Sequence, residues 1–268
     1  MTFPPTSELV GPDGRLLRYC LYGPADGFPV IMHGGSPSTR WRRPSLIATM
    51  EQSKLRLLAY DRPGYGGSTR QPGRRVADAA PDAEALADAL GWSRFAVFGG
   101  SGGGPHALAC AALLADRVTR CAVVSGIKPA EPGRPIREEP DVRSQLAGVA
   151  AEILGRVDAG GPEFPTEPGP AARTDPEAMA RLRATFVDGT DGWVDDSLAF
   201  ARPWGFDVEL ITAPVGIWSG TQDLDVPAEH SEWLLATIKT AQGHVYAGGH
   251  QPGPGVYRQI FQWLSPRA

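Results

Sequence analysis

Cysteine is scarce in this chain of 268 residues. There are three, Cys20, Cys110 and Cys121, widely separated and set among apolar neighbours. An odd number with such spacing excludes a disulfide framework and any metal-ligand pattern built from thiols. It reads as buried free thiols in a reducing compartment, so the expected location is cytoplasmic. Long hydrophobic runs are missing too, and nothing approaches the roughly 20 apolar residues that a membrane span requires. The start, Met1-Thr2-Phe3-Pro4-Pro5, has neither the charge nor the apolar stretch of a signal peptide. Charge of one sign is lacking as well: 26 Lys and Arg stand against 30 Asp and Glu, a net charge of −4. Basic residues gather only in pairs such as Arg42-Arg43 and Arg74-Arg75, so nucleic acid is not an expected partner. No Gly-Lys-Ser/Thr follows a glycine loop, which removes the Walker phosphate site. Internal repeats are absent.

Glycine (33) and proline (26) are plentiful, and they punctuate short apolar runs. Ser7–Val10 and Arg15–Tyr22 form a hairpin pattern around Pro12-Asp13-Gly14. Pro29–His33, Leu55–Tyr60, Phe95–Phe98 and Val118–Ser125 are short enough, and apolar enough, for strands buried on both faces of a sheet. Helical stretches alternate with them, from about Trp41 to Gln52, from Asp78 to Leu90 and after Ser101. From Gly126 to Phe206 the rhythm breaks. Proline-rich stretches at Pro129–Pro140 and Gly160–Pro170 flank helical patterns at Val142–Val157, Pro176–Val187 and Trp193–Ala201. Phe164, Phe186, Trp193, Phe200, Trp204 and Phe206 need burial, so this segment reads as an inserted helical cap rather than a linker. Strand and helix then resume with Pro214–Ser219, Pro227–Ile238, His244–Tyr246 and Val256–Leu264. Strands alternating with helices predict an α/β fold with a mostly parallel sheet covered on both faces. Ligands of such sheets bind beyond the carboxyl ends of the strands, where the glycine-rich turns should converge.

The most informative stretch is Gly99-Gly100-Ser101-Gly102-Gly103, a G-x-S-x-G pattern between a strand and a helix. It is the signature of a sharp turn that lifts one serine hydroxyl above the sheet. Gly102-x-Gly104-x-x-Ala107 also fits a dinucleotide fingerprint, but that motif belongs to the first strand of its fold, and several strands precede this one. A purely structural turn is the other reading. A serine needs a base and an orienting carboxylate to become a nucleophile, expected in that order downstream. Of five histidines, His250 alone follows the last strand in a loop, after Gly248-Gly249. His33 lies upstream, His106 and His230 lie on helices, and His244 begins a strand. Asp223 and Asp225 follow the Pro214–Ser219 strand; either suits a helix cap, Asp225 being closer to the helical start, and Asp223 is favoured as the acid. The oxyanion donors should be the backbone N–H of Gly102 and a second from the turn after His33-Gly34, Gly35 or Ser36, with Gly35 favoured.

Five motifs in order make the chain resemble the serine α/β-hydrolase superfamily, in its cap-bearing, esterase-like form. They are His33-Gly34-Gly35-Ser36-Pro37, Asp61-Arg62-Pro63-Gly64-Tyr65-Gly66-Gly67-Ser68, Gly99–Gly103, Gly220-Thr221-Gln222-Asp223 and Gly248-Gly249-His250. Many relatives read His-Gly-x-Pro, whereas here Gly35 and Ser36 both precede Pro37. The resemblance implies an eight-stranded, mostly parallel sheet with a helical cap after strand six: residues 1–125 and 207–268 as core and 126–206 as cap. It further implies no metal or organic cofactor, and a small, largely apolar ester as substrate, cleaved through an acyl-Ser101 intermediate with His250 and Asp223. A proline-type aminopeptidase, a carbon–carbon bond hydrolase, a lactonase and a thioesterase use the same triad. The peptidase requires an acidic pocket, for which Glu138, Glu139 and Asp195 are candidates. A non-catalytic small-molecule receptor is the alternative of another class.

Overall fold

Most apolar runs bounded by glycine and proline become strands, although the last strand starts at Ala241, earlier than the expected His244, and its first five residues are not buried. A computed structural model of the chain describes residues 3–159 and 176–265. The Gly160–Pro170 stretch and Phe164 therefore lie outside the described residues. β1 (Ser7–Val10), β2 (Leu16–Tyr22), β3 (Phe28–His33), β4 (Leu55–Tyr60), β5 (Phe95–Gly100), β6 (Val118–Val124), β7 (Val215–Gly220) and β8 (Ala241–Tyr246) form one sheet. Its order is β1-β2-β4-β3-β5-β6-β7-β8. β1 and β2 pair antiparallel with their neighbours, and the remaining pairs are parallel. The expected eight-stranded, mostly parallel α/β-hydrolase sheet is the observed one.

Successive residues of the central strands point to opposite faces and both faces are dry. Ile31, Leu58, Val97 and Val123 pack under α2 (Ala79–Ala89), α3 (Gly103–Leu113) and α7 (Ala228–Thr237). Val30, Leu57, Phe98 and Val124 pack on the other face, against α1 (Pro44–Glu51) and α8 (Pro254–Leu264). The first helix starts later than the periodicity from Trp41 suggests. Arg43 is extended, at φ −66° and ψ 142°, because the ring of Pro44 excludes helical angles from the residue before it. Pro44 instead opens the helix, where its missing N–H costs nothing.

Between β6 and β7 the chain leaves the sheet for α4 (Glu139–Asp158), α5 (Pro176–Thr185) and α6 (Asp191–Ala201). Val142, Val194 and Leu198 make a small apolar cluster of their own. Ala199 and Trp204 do not belong to it; they are buried with the residues of the main core. The insertion is thus rooted in the sheet's own packing at its C-terminal end. Among the described residues no helix is long and apolar enough to cross a membrane. The three cysteines are free and buried.

The strand order fixes where a ligand can sit. β3 has β4 on one side and β5 on the other, so chain progression reverses there and a crevice opens beyond the carboxyl ends. His33, the last residue of β3, is in register with Gly99 of β5. The two glycine-rich turns that follow are forced side by side. β6, β7 and β8 continue the same edge, with Gly100 beside Val124, Val124 beside Trp218 and Gly220 beside Tyr246.

Candidate active site

Ser101 follows β5 in a conformation that serine rarely adopts, with φ of +53°. Such a residue costs about 1–3 kcal/mol and persists only where its surroundings enforce it. Here the amide of Ser101 donates to the carbonyl of Val124 (2.8 Å), and its own carbonyl accepts from Gly104 (2.9 Å). The strand and helix meet so closely that side chains are excluded at two positions. A Cβ on Gly99 would lie 2.3 Å from the carbonyl oxygen of Gly103, and one on Gly103 would lie 2.0 Å from that of His33. The turn leaves the serine partly exposed in a cavity of about 190 Å³. Gly35, Gly100, His250 and Tyr257 share its wall, and α4 and α5 add Ile153, Leu182 and Thr185.

His250 comes from the loop after β8 and Asp223 from the loop after β7. The imidazole Nδ1 lies 3.0 and 3.1 Å from the two Asp223 oxygens. Burial alone would raise the Asp223 carboxyl. Hydrogen bonds from the Val226 amide and Ser125, together with the neighbouring His250, leave it below its ordinary value. It is ionised at neutral pH, so Nδ1 carries the proton and donates, which leaves Nε2 as the basic nitrogen. The amides of Asp225 and Val226 also donate to Asp223 Oδ1, at 3.0 and 2.9 Å, and fix the carboxylate's direction. Asp225 itself is exposed. One oxygen each from Asp223 and Asp225 and a nitrogen from His250 fall within 4.8 Å of one another, a spacing that could also hold a cation.

The other histidines are engaged elsewhere. Buried His33 bonds the Tyr60 hydroxyl (3.1 Å) and Cys110 Sγ (3.4 Å). His230 Nδ1 accepts from the Lys128 amide, and His244 stacks on Trp218. His106 is buried against Asp196.

The two amides expected to hold an oxyanion are both free of backbone hydrogen bonds among the described residues. A Cβ on Gly35 would be 3.5 Å from that of Ser101, and one on Gly102 would be 2.6 Å from the Ser36 hydroxyl. Ser36 is not on the cavity wall; its hydroxyl turns away to donate to Asp196. None of the acids suggested for an amine pocket lines the cavity. Asp195 and Glu139 are bound by Arg70.

Several groups that shape the site escaped the sequence reading. Ser125, just past β6, donates to the His250 carbonyl (3.1 Å), and the Tyr246 hydroxyl bonds the same loop at the Gly249 carbonyl (3.0 Å). Arg62 grips the turn after β3 through the carbonyls of Gly34 and Gly35, the latter at 2.8 Å. Arg62 is in turn paired with Asp196 of α6 at 2.6 Å, and Arg74 meets the same carboxylate at 2.6 Å. Tyr65 donates to it at 2.9 Å, and His106 Nε2 lies 3.2 Å away. Asp196 is wholly buried, which would raise its carboxyl, but Arg62 and Arg74 hold it well below the usual range.

His106 has the opposite fate. Burial pushes it down from 6.5 to about 4, Arg62 adding to the effect against the pull of Asp196. A histidine kept neutral by the fold gives stability that is complete above its unfolded value and is lost as acid protonates the unfolded chain first. His106 is therefore expected to contribute a fall in stability of up to about 3 kcal/mol as pH drops from about 6.5 towards 4, and buried His33, also held low, acts in the same direction. Asp196 stays ionised across that window and cannot offset the loss. Thermal melts in steps from about pH 7.5 to 4.5 check this, and a flat midpoint contradicts it.

Comparison with known proteins agrees with this fold. Residues 29–158 match a family model described as the alpha/beta hydrolase fold. A non-heme chloroperoxidase of Streptomyces lividans is 29% identical over 260 residues, spanning 86% of this chain and 89% of that protein. A bifunctional esterase/perhydrolase of Acinetobacter calcoaceticus is 29% identical over 231 residues, spanning 82% and 83%. Among solved structures, a thermophilic esterase from Thermogutta terrifontis superposes with a TM-score of 0.72 at 21% identity, covering 97% of this chain and 98% of that one.

Proposed function

Because this chain belongs to the alpha/beta-hydrolase fold superfamily, we propose that it is a serine hydrolase that cleaves a carboxylic ester of a small molecule through an acyl-Ser101 intermediate. The observation that carries this reading is the cavity: a strained, accessible serine and an imidazole already oriented by a carboxylate line one wall of it. His250 Nε2 takes the hydroxyl proton as Ser101 attacks the ester carbonyl, and returns it to the departing alcohol. Asp223 keeps the imidazole in the tautomer this needs and stabilises the imidazolium. The developing oxyanion is received by the amides of Gly35 and Gly102. Water then attacks the acyl-serine with His250 again as base.

Helices α4 to α6, within residues 126–206, act as a cap in this reading, supported by the side chains that α4 and α5 add to the cavity wall. Buried free thiols fit a cytoplasmic setting. A lactone or thioester uses the same steps. An N-terminal peptidase is disfavoured, since no carboxylate lines the cavity among the described residues.

Incubation with a fluorophosphonate, followed by peptide mass mapping, tests the proposal. One adduct per chain is expected, on the peptide holding Ser101, together with turnover of short-chain 4-nitrophenyl esters. Labelling elsewhere, or ligand binding with neither label nor turnover, would support a receptor instead.

A further inference from the structure

The segment between the oxyanion turn and α1 carries two buried arginines with different fates. Arg40 is neutralised: its guanidinium pairs with Asp61 and its amide donates to the same carboxylate at 2.5 Å. Arg42 has no such partner among the described residues. It is 8% exposed and lies on the wall of the catalytic cavity. Its Nη2 donates to the Ser38 hydroxyl at 3.1 Å and its Nε to the Arg40 carbonyl at 3.4 Å. No carboxylate pairs with it, and Nη1 makes no hydrogen bond, among the described residues. That nitrogen sits against the oxyanion turn, where a Cβ on Gly34 would be 3.1 Å away.

A guanidinium does not lose its charge on burial at neutral pH, so an unpaired one is costly unless a counter-charge arrives. Burial does pull its proton affinity down, and the nearby Arg62 and Arg181 act in the same direction against Tyr22 and Asp61. Arg42 is on the cavity wall, and no Asp or Glu of the described residues lines it, although the chain is net acidic. Met32, Leu46, Phe98, Val124 and Leu182 make much of the rest apolar.

We propose that Arg42 receives a carboxylate carried by the substrate, so that the enzyme acts on small esters with an apolar body and one anionic end. This rests on the serine-hydrolase reading above and narrows its substrate class. The ligand supplies the counter-charge that the described residues do not, and pairing within the cavity holds the ester carbonyl over Ser101. A carboxylate is favoured because its planar pair of oxygens matches the guanidinium fork and its single charge matches a single arginine.

The test compares two chromogenic esters of equal shape, the 4-nitrophenyl monoester of glutarate and 4-nitrophenyl 5-methylhexanoate. Wild type is expected to favour the anionic ester in kcat/KM by about 10-fold or more. Arg42→Gln should lower that preference by about 10–100-fold, mainly through KM, and Arg42→Lys should recover part of it. A wild-type preference for the neutral ester, or a ratio indifferent to Arg42→Gln, overturns the proposal. If Arg42→Gln fails to fold, the ratios of wild type and Arg42→Lys decide. If neither ester is turned over, calorimetric binding of glutarate separates the two claims. Glutarate bound by wild type and by Ser101→Ala, and weakened by Arg42→Lys, keeps the arginine assignment while the hydrolase reading falls. No glutarate binding to wild type removes the assignment itself.

Discussion

Ser101→Ala is expected to lower kcat/KM on a short-chain 4-nitrophenyl ester by about 10⁴–10⁶-fold while leaving the fold intact. The loss is large because, in the proposed mechanism, nucleophile, base and orienting acid act as a unit. Removing the hydroxyl leaves His250 and Asp223 correctly paired and with nothing to activate. The same variant should take up no fluorophosphonate. Ser101→Gly adds an internal control. Glycine adopts φ of +53° without strain, so this variant should be equally inactive yet melt slightly above Ser101→Ala. Retained turnover in both variants would place the chemistry on another residue.

The second large effect belongs to a residue that touches no substrate. Asp196→Ala removes the carboxylate that Arg62 and Arg74 share and leaves two buried guanidinium groups uncompensated. Breaking a buried pair in this way typically costs about 3–5 kcal/mol, which for a chain of this size is roughly a 6–20 °C drop in melting midpoint. Activity should suffer below the melt as well, since Arg62 also holds the Gly34 and Gly35 carbonyls. A loosened turn no longer presents the Gly35 amide, and kcat is expected to fall by up to about 10²-fold, short of the full cost of losing an oxyanion donor. Asp196→Asn keeps the shape and some hydrogen bonds and should lie between. An alanine variant with unchanged melting and turnover would show that the turn is held by its own backbone.

Much of this molecule could be read before it was seen, and the boundary of what could be read is physical. Strands were legible because Val30-Ile31-Met32 or Phe95–Phe98 must be buried on both faces and end where glycine and proline permit a turn. Their order along the chain then put the loops carrying Ser101, Asp223 and His250 at one edge, and the structure brings Asp223 and His250 into hydrogen-bond contact there. The start of α1 falls later than the helical stretch from about Trp41 because Pro44 keeps Arg43 extended. Asp196 was invisible for another reason. It meets Arg62 across 134 residues, and no spacing within either segment announces the encounter. Ser125 was read merely as the end of a strand, since a hydroxyl that bonds a distant carbonyl leaves no pattern of its own. Arg42 looked like half of a solvated basic pair, and only the cavity shows that it is enclosed.

The network around Asp196 bears on how the helical insertion can be exchanged. Its anchor is divided: the carboxylate belongs to α6, whereas Arg62, Tyr65, Arg74, His106 and Ser36 come from four separate stretches of the sheet domain. A chimaera that swaps residues 126–206 for those of a relative would inherit one half of a lock with no matching key. Recombination in this fold should therefore succeed only when both halves travel together, and the reach of the insertion as a unit of inheritance extends well outside its own sequence.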